Sequence, residues 1–293
     1  MSDKEQQILV ISSHVIRGSV GNRCSVNVLE TMGYPVWSML TVSMTWQPSH
    51  GPSHRLNVAP NDFQAWADDI LRSSWNKDIA CVLTGYFVSP EQVYIAAALI
   101  QDLKKINPSL IYFCDPVLGD EAGLYVKESV AHAVKERLVP LADWLKPNRS
   151  ELEWLCGRKL TSNTEIIAAA QSLNCETVLV TSAWAESADA TGNLFISKDA
   201  ILLVEHPRVK KPVTGLGDMT AALYLSYKLR GETPERALYK ATSAVYTLLR
   251  ETVDNKSYEL KIEHMAHAVQ QDNRAVNLYR LETTHPYQAT KVE

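Results

Sequence analysis

The sequence predicts an α/β fold, a doubly wound, mostly parallel sheet with helices on both faces. Three observations carry that expectation. Short apolar runs suited to buried strands alternate with longer amphipathic patterns from end to end, and no linker-like shift in composition interrupts them. Asp115 ends one apolar run, where open α/β sheets bind ligands. A glycine-broken turn, Thr214-Gly215-Leu216-Gly217, feeds an apolar helix. With 293 residues, 46% of them hydrophobic, the chain can bury a substantial core, and residues 1–293 are read as one domain. There is no internal repeat and no low-complexity tract.

The elements follow in order. Ile8–Ser12 reads as a buried strand, and a helix over about Gly21–Met32 places Val20, Cys24, Val28 and Met32 along one face. Pro35–Leu40 is a second strand. Ser43–Leu56, SMTWQPSHGPSHRL, then breaks the pattern with prolines, a glycine and a doubled Pro-Ser-His. It reads as an exposed loop or flap, spanning about residues 43–58, that covers the open edge of a site. His50 and His54 lie there without a nearby carboxylate or cysteine and read as solvated residues, not metal ligands. Pro60–Ser73 is an amphipathic helix and Ile79–Thr84 a strand. Ser89-Pro90-Glu91 opens a helix to about Lys105, with a cap, a proline at the first position and an acid. Leu110–Cys114 is a strand ending in Asp115-Pro116. Asp120 and Tyr125 fall in a glycine-containing loop before a helix over about Lys127–Leu138. Trp144–Lys146 is strand-like, and Pro147-Asn148-Arg149-Ser150-Glu151 opens a helix. Asn148 and Glu151 have the spacing of a capping box, so they serve either as a cap or as functional groups. Further elements are expected at Thr164–Leu173 (helix), Thr177–Thr181, Leu194–Ile196 and Ile201–Val204 (strands), and Thr220–Lys228, Pro234–Arg250 and Glu263–Gln271 (helices). A polar tail ends the chain.

Composition narrows the function classes. A net charge of −4 without a basic run gives no support to nucleic-acid or membrane-surface binding. The polar start MSDKEQQ predicts neither a secretory signal nor a spanning helix. Cysteines 24, 81, 114, 156 and 175 are scattered without a Cys-x-x-Cys pair, which predicts reduced thiols in a cytoplasmic protein and no zinc site.

The stretch Lys211–Leu225, KPVTGLGDMTAALYL, concentrates the chemistry. Small residues let the backbone approach a ligand, and the first N–H groups of a helix have no intrahelical acceptor, so an anion is welcome there. Asp218 stands at that end, where the helix is expected to open, and is itself an anion. It is either the helix cap or a base aimed at a hydroxyl while backbone N–H groups hold a transferring phosphoryl.

Several segments occur together in a fixed order: SHVIRGSVGNR (Ser13–Arg23), LTGY (Leu83–Tyr86), CDPVLGD (Cys114–Asp120), LYV (Leu124–Val126), Pro147-Asn148 with Glu151, and GLGD (Gly215–Asp218). As an ordered set the chain resembles the pyridoxal kinases, a branch of the ribokinase-like superfamily, over nearly its whole length. The resemblance implies an ATP-dependent enzyme that phosphorylates the 5′-hydroxymethyl group of pyridoxal, pyridoxine or pyridoxamine in vitamin B6 salvage. It also implies Mg²⁺, a monovalent cation for which K⁺ is the candidate, and a homodimer. By the same resemblance Asp218 is the base, and the N–H groups of Gly215, Leu216 and Gly217 form the anion hole. Asp115, Asn148, Glu151, Thr181 and Ser182 serve the nucleotide, with Glu151 and Asp115 toward the metal. Ser13 and Tyr86 contact the vitamin.

Three departures from the family pattern stand out. Leu216 fills the place of a threonine in Gly-Thr-Gly-Asp. Lys146 replaces a threonine before Pro-Asn, a flexible point charge where a short hydroxyl is usual. Met44-Thr45-Trp46-Gln47-Pro48 replaces Phe-Ser-Asn-His-Thr in the substrate flap, and Pro48 offers neither a hydroxyl nor an N–H. Those changes keep two alternatives open: a ribokinase-like kinase of another small alcohol, such as a hydroxymethyl-pyrimidine or a sugar, and a vitamin B6-binding paralogue with little turnover.

Overall fold

The computed structural model describes residues 6–210, 213–282 and 288–292. Lys211 and Pro212, which open the glycine-rich stretch, lie outside the described residues, as do Met1–Glu5 of the polar start and Glu293 of the tail. The chain divides into two compact units, Met1–Leu145 and Lys146–Glu293.

In the first unit, β1 (Gln7–Val15), α1 (Asn22–Thr31) and β2 (Val36–Met44) make a β-α-β crossover. A short β3 (Arg55–Asn57) leads to α2 (Pro60–Arg72), then β4 (Ile79–Thr84), α3 (Pro90–Ile106) and β5 (Ile111–Cys114). After a two-rung hairpin of β6 (Gly119–Asp120) and β7 (Gly123–Leu124) come α4 (Glu128–Ala133) and β8 (Trp144–Leu145). The sheet order is β8-β5-β4-β1-β2-β3, parallel except for β3. β1 is central, and Ile8, Leu9, Val10 and Ile11 are all fully buried. That is why the run reads as continuously apolar instead of alternating: both faces of the strand are covered. Ser89 Oγ accepts the Gln92 N–H at 3.4 Å with Pro90 opening α3, the start expected from the sequence.

The flap is a correction. Part of the expected loop is strand: β2 continues to Met44, and the chain returns as β3 with Met44 paired to Arg55 and Val42 to Asn57. The buried Gln92 amide donates 2.9 Å hydrogen bonds to both Thr41 O and Val58 O, joining the two ends of the hairpin. Near the tip, Trp46 Nε1 donates to Gly51 O at 3.2 Å and Ser53 Oγ to Trp46 O at 3.0 Å. β3 is exposed along its length, so no alternation of burial marked it in the sequence.

The second unit begins with α5 (Arg149–Cys156) and α6 (Asn163–Gln171). It continues through β9 (Thr177–Ala183), β10 (Ala190–Ser197), β11 (Ile201–Pro207), α7 (Leu216–Leu229), α8 (Pro234–Asp254) and a short α9 (Met265–Ala268). β12 (Asn277–Glu282) and β13 (Gln288–Lys291) close it. Its strands run β13-β12-β11-β10-β9, antiparallel throughout. α8 packs on β10, β11 and β12, with His206 against Tyr246 at 4.8 Å between ring centroids. The helix expected over Glu263–Gln271 is only a 3₁₀ turn, Ile262–His264, followed by α9. The expected polar tail carries β12, whose Leu278 and Leu281 are buried, and β13, a polar strand at the sheet margin.

Candidate active site

In the first unit the candidate positions lie at or near the ends of parallel strands. Ser13 sits at an irregularity in the β1–β2 ladder and is buried. Gly21, with φ +57°, lies so close that a Cβ there would fall 2.3 Å from Ser13 O and 2.5 Å from its Oγ, so only glycine fits. Ser12 Oγ accepts the Tyr86 N–H at 3.0 Å, and a Cβ on Gly85 would meet that hydroxyl at 2.5 Å. Thr41 Oγ1 donates to Tyr86 O at 2.7 Å, so the Tyr86 backbone is held from both sides. Its ring packs on the cluster of Val15, Val42 and Met44 at the flap base. Arg55 of β3 donates to the Tyr86 hydroxyl at 3.2 Å. Asp115 is buried just past β5, its N–H donating to Thr84 O at 3.0 Å. Two residues on, Val117 has φ +44°, a strained conformation for a β-branched residue. His14, beside Ser13, has its pKa lowered by burial and by the Arg23 charge, which favours a neutral imidazole.

In the second unit local backbone geometry does the positioning. Asn148 and Glu151 form the capping box of α5: Asn148 Oδ1 accepts the Glu151 N–H at 2.9 Å, and Glu151 Oε2 accepts the Asn148 N–H at 2.8 Å. Glu151 is 4% exposed, so its carboxylate is oriented before any ligand arrives. A parallel bridge joins Asn148 to Thr181, and Thr181 N–H donates to Pro147 O at 3.0 Å. Ser182 follows in a bulge of β9 with φ +56°. The capping box and the bridge therefore bring Asn148 and Glu151 beside Thr181 and Ser182.

At α7 the structure corrects the helix start. The N-cap is Gly215, in the left-handed region at φ +88°, and Asp218 is the third residue of the helix. Asp218 is thus not the cap. Glycine has no side chain to cap with, so the N–H groups of Leu216 and Gly217 emerge at a helix end with no side-chain acceptor from the cap. Backbone donors and a carboxylate share one turn, half-exposed.

Two features were not legible in the sequence, the burial of Lys146 and the stacking of Arg149. Lys146 is 3% exposed, and a Cβ on Gly217 would lie 3.5 Å from its Nζ. It is a buried, fixed charge against the first turn of α7, not the flexible one expected. Arg149, inside the Pro-Asn-x-x-Glu motif, stacks its guanidinium 4.2 Å from the ring of exposed Trp184. Asn163 binds Trp184 O at 2.8 Å and Trp184 N at 3.1 Å, which fixes that aromatic two residues beyond Ser182.

Residues 18–263 match the family model described as phosphomethylpyrimidine kinase. Pyridoxal kinase PdxY of Corynebacterium diphtheriae is 31% identical over 89% of this chain and 95% of its own. That of Rubrobacter xylanophilus is 33% identical over 87% of this chain and 90% of its own. The chain belongs to the pyridoxal kinase family. Its fold agrees: pyridoxal kinase from Entamoeba histolytica matches with a TM-score of 0.86 at 28% identity, covering 98% of this chain and 99% of that one. The fold is accordingly that of the ribokinase-like pyridoxal kinases, an α/β sheet that is parallel where helices cross between strands.

No group of three or more His, Cys, Asp or Glu side chains suited to a metal occurs among the described residues. His54 is exposed, and His50 contacts Gln47 at 3.0 Å. None of the five cysteines is in a disulfide, and burial pushes the Cys81 thiol pKa up, away from nucleophilic use. No helix among the described residues is long and apolar enough to cross a membrane.

Proposed function

We propose that this protein is an ATP-dependent kinase acting on the 5′-hydroxymethyl group of pyridoxal, with pyridoxine and pyridoxamine as further acceptors, in vitamin B6 salvage. The observation that carries the reading is the start of α7, where a glycine cap leaves backbone N–H groups for an anion and Asp218 stands in the same turn. Family membership, with relatives named pyridoxal kinase, supports the acceptor. The structure of the Entamoeba kinase with PLP, at 28% identity, supports it further.

In this mechanism the Asp218 carboxylate takes the hydroxyl proton as the 5′ oxygen attacks the γ-phosphorus. The new O–P bond forms while the bond to the β,γ-bridging oxygen breaks, and ADP leaves. The N–H groups of Gly215, Leu216 and Gly217 receive the charge on the transferring phosphoryl. Asn148, Thr181 and Ser182 position the nucleotide, and Ser13 and Tyr86 the vitamin. Positioning and charge stabilisation supply most of the catalysis in such a reaction.

Glu151 and Asp115 fit Mg²⁺ in donor chemistry: each is a buried carboxylate, and this ion is held by one or two carboxylates plus phosphate oxygens and water, without a protein cage. Bound there, Mg²⁺ would neutralise phosphate charge. We assign no residues to a monovalent cation. The family model spans the boundary between the two units, which supports treating residues 1–293 as one kinase domain. Free cysteines support a cytoplasmic setting, and a homodimer is the assembly the family implies.

The test is coupled ADP release with pyridoxal, pyridoxine, pyridoxamine and a hydroxymethyl-pyrimidine. Turnover with the B6 vitamers is expected. The altered flap and the name of the matching family model favour the pyrimidine as the second reading, and turnover with it alone would replace the first. Binding of vitamers without any ADP release would make the protein a B6-binding paralogue.

A further inference from the structure

The flap hairpin turns one face toward Tyr86. Met44 of β2 and Arg55 of β3 stand directly opposite each other in the antiparallel ladder, so their side chains share a face, and Val42, two residues along β2, shares it too. Val42 and Met44, with Val15, form the cluster on which Tyr86 packs. Arg55 therefore projects from the face that meets Tyr86, and its guanidinium donates to the Tyr86 hydroxyl at 3.2 Å while the residue stays exposed.

Polar side chains near the hairpin tip bond within the hairpin. Trp46 Nε1 donates to Gly51 O at 3.2 Å, Ser53 Oγ donates to Trp46 O at 3.0 Å, and the Gln47 amide meets the His50 ring at 3.0 Å. Pro48 has neither an N–H nor a side-chain donor. Arg55 instead reaches out of the hairpin, to the aromatic whose backbone is fixed by Ser12 and Thr41. A guanidinium has five N–H donors and keeps its charge at every working pH, and the Tyr86 contact takes one of them. A hydrogen bond this exposed adds little to folding. A planar cation beside a ring-covering tyrosine is suited to choosing the charge of a ligand.

We propose that Arg55 is a specificity-determining residue, its guanidinium pairing with an ionised ring oxygen of the acceptor, so that the flap selects hydroxymethyl-pyridines bearing a ring hydroxyl over neutral hydroxymethyl-pyrimidines. The inference deepens the kinase reading above and rests on it, with Tyr86 at the acceptor ring. In the B6 vitamers the ring hydroxyl is acidified by the protonated nitrogen of the same ring and is an anion at neutral pH. A hydroxymethyl-pyrimidine without such an oxygen gives the arginine nothing to pair with. A site that hydrogen-bonds its substrate rejects the analogue lacking that group more strongly than apolar cover does.

The test compares pyridoxine with 3-deoxypyridoxine, the same alcohol without the ring hydroxyl, in wild type, Arg55→Met and Arg55→Lys. KM is read from coupled ADP release, and both ligands are also titrated by calorimetry. Wild type should favour pyridoxine by about 10-fold, the scale of a hydrogen bond between charged groups. Arg55→Met should raise KM for pyridoxine by about that factor and leave 3-deoxypyridoxine and ATP unchanged, and Arg55→Lys should keep part of the preference. Equal weakening of both alcohols would make Arg55 a clasp that only holds Tyr86, and it overturns the proposal. So does a wild type that does not distinguish the two. If neither alcohol is turned over, the kinase reading fails separately, and the calorimetric ratio of the two ligands still decides the role of Arg55.

Discussion

The two units place the candidate site residues by different physics. In Met1–Leu145, Ser13, Tyr86 and Asp115 stand at or just past the ends of parallel strands, and close approaches of Gly21 to Ser13 and of Gly85 to Ser12 fix their backbones. In Lys146–Glu293 the sheet is antiparallel, and the groups are set by a capping box, a bulge and a left-handed glycine. A strand-end site depends on the long-range register of the sheet, whereas a cap or a helix end is specified within a few residues.

The sharpest way to break that contrast is Asp218→Asn. If the second unit carries the proton transfer, kcat should fall roughly 10²- to 10⁴-fold, with the melting temperature and ATP binding little changed. Since Gly215 and not Asp218 is the cap, no loss of helix capping can account for the effect. Near-wild-type turnover would remove Asp218 from the reaction.

Glu151→Gln comes next because the same side chain caps α5 and is the carboxylate proposed for Mg²⁺. It should raise the Mg²⁺ concentration for half-maximal activity several-fold. Part of the capping box is retained by Asn148, so stability should drop by no more than about 1 kcal/mol. A loss of stability with an unchanged Mg²⁺ titration would leave Glu151 a purely structural residue.

Flap substitutions should speak to the vitamin and not to the nucleotide. Trp46→Ala is expected to raise KM for pyridoxal a few-fold, because the indole holds the hairpin tip through Gly51 O and offers aromatic surface. Pro48→Thr restores a hydroxyl and should lower that KM, while KM for ATP stays put in both. A matched change in KM for ATP would blur the division of labour.

The smallest effect is on pH. His206 in β11 has its pKa lowered from 6.5, chiefly by burial. Its share of stability is present above the unfolded value of 6.5 and is lost as pH falls through the lower folded value. Melting temperature should therefore decline as pH falls below about 6.5, and His206→Gln should flatten that decline. An identical pH profile in the mutant would assign the acid sensitivity elsewhere.

Sequence alone determined the parallel core and the short-range parts of the site. The buried runs of β1 and β4, the Ser89-Pro90 start of α3, and the Asn148–Glu151 spacing are each complete within one element, so periodicity and capping chemistry reveal them. Tertiary structure decided the rest. β3 and β13 are polar or short and become strands only because a neighbour supplies their hydrogen bonds. The left-handed Gly215 moved the start of α7 back to Leu216 and took the cap from Asp218. Lys146 lies 71 residues from Gly217 in the chain, and only folding buries its ammonium beside that glycine, a contact no local pattern encodes.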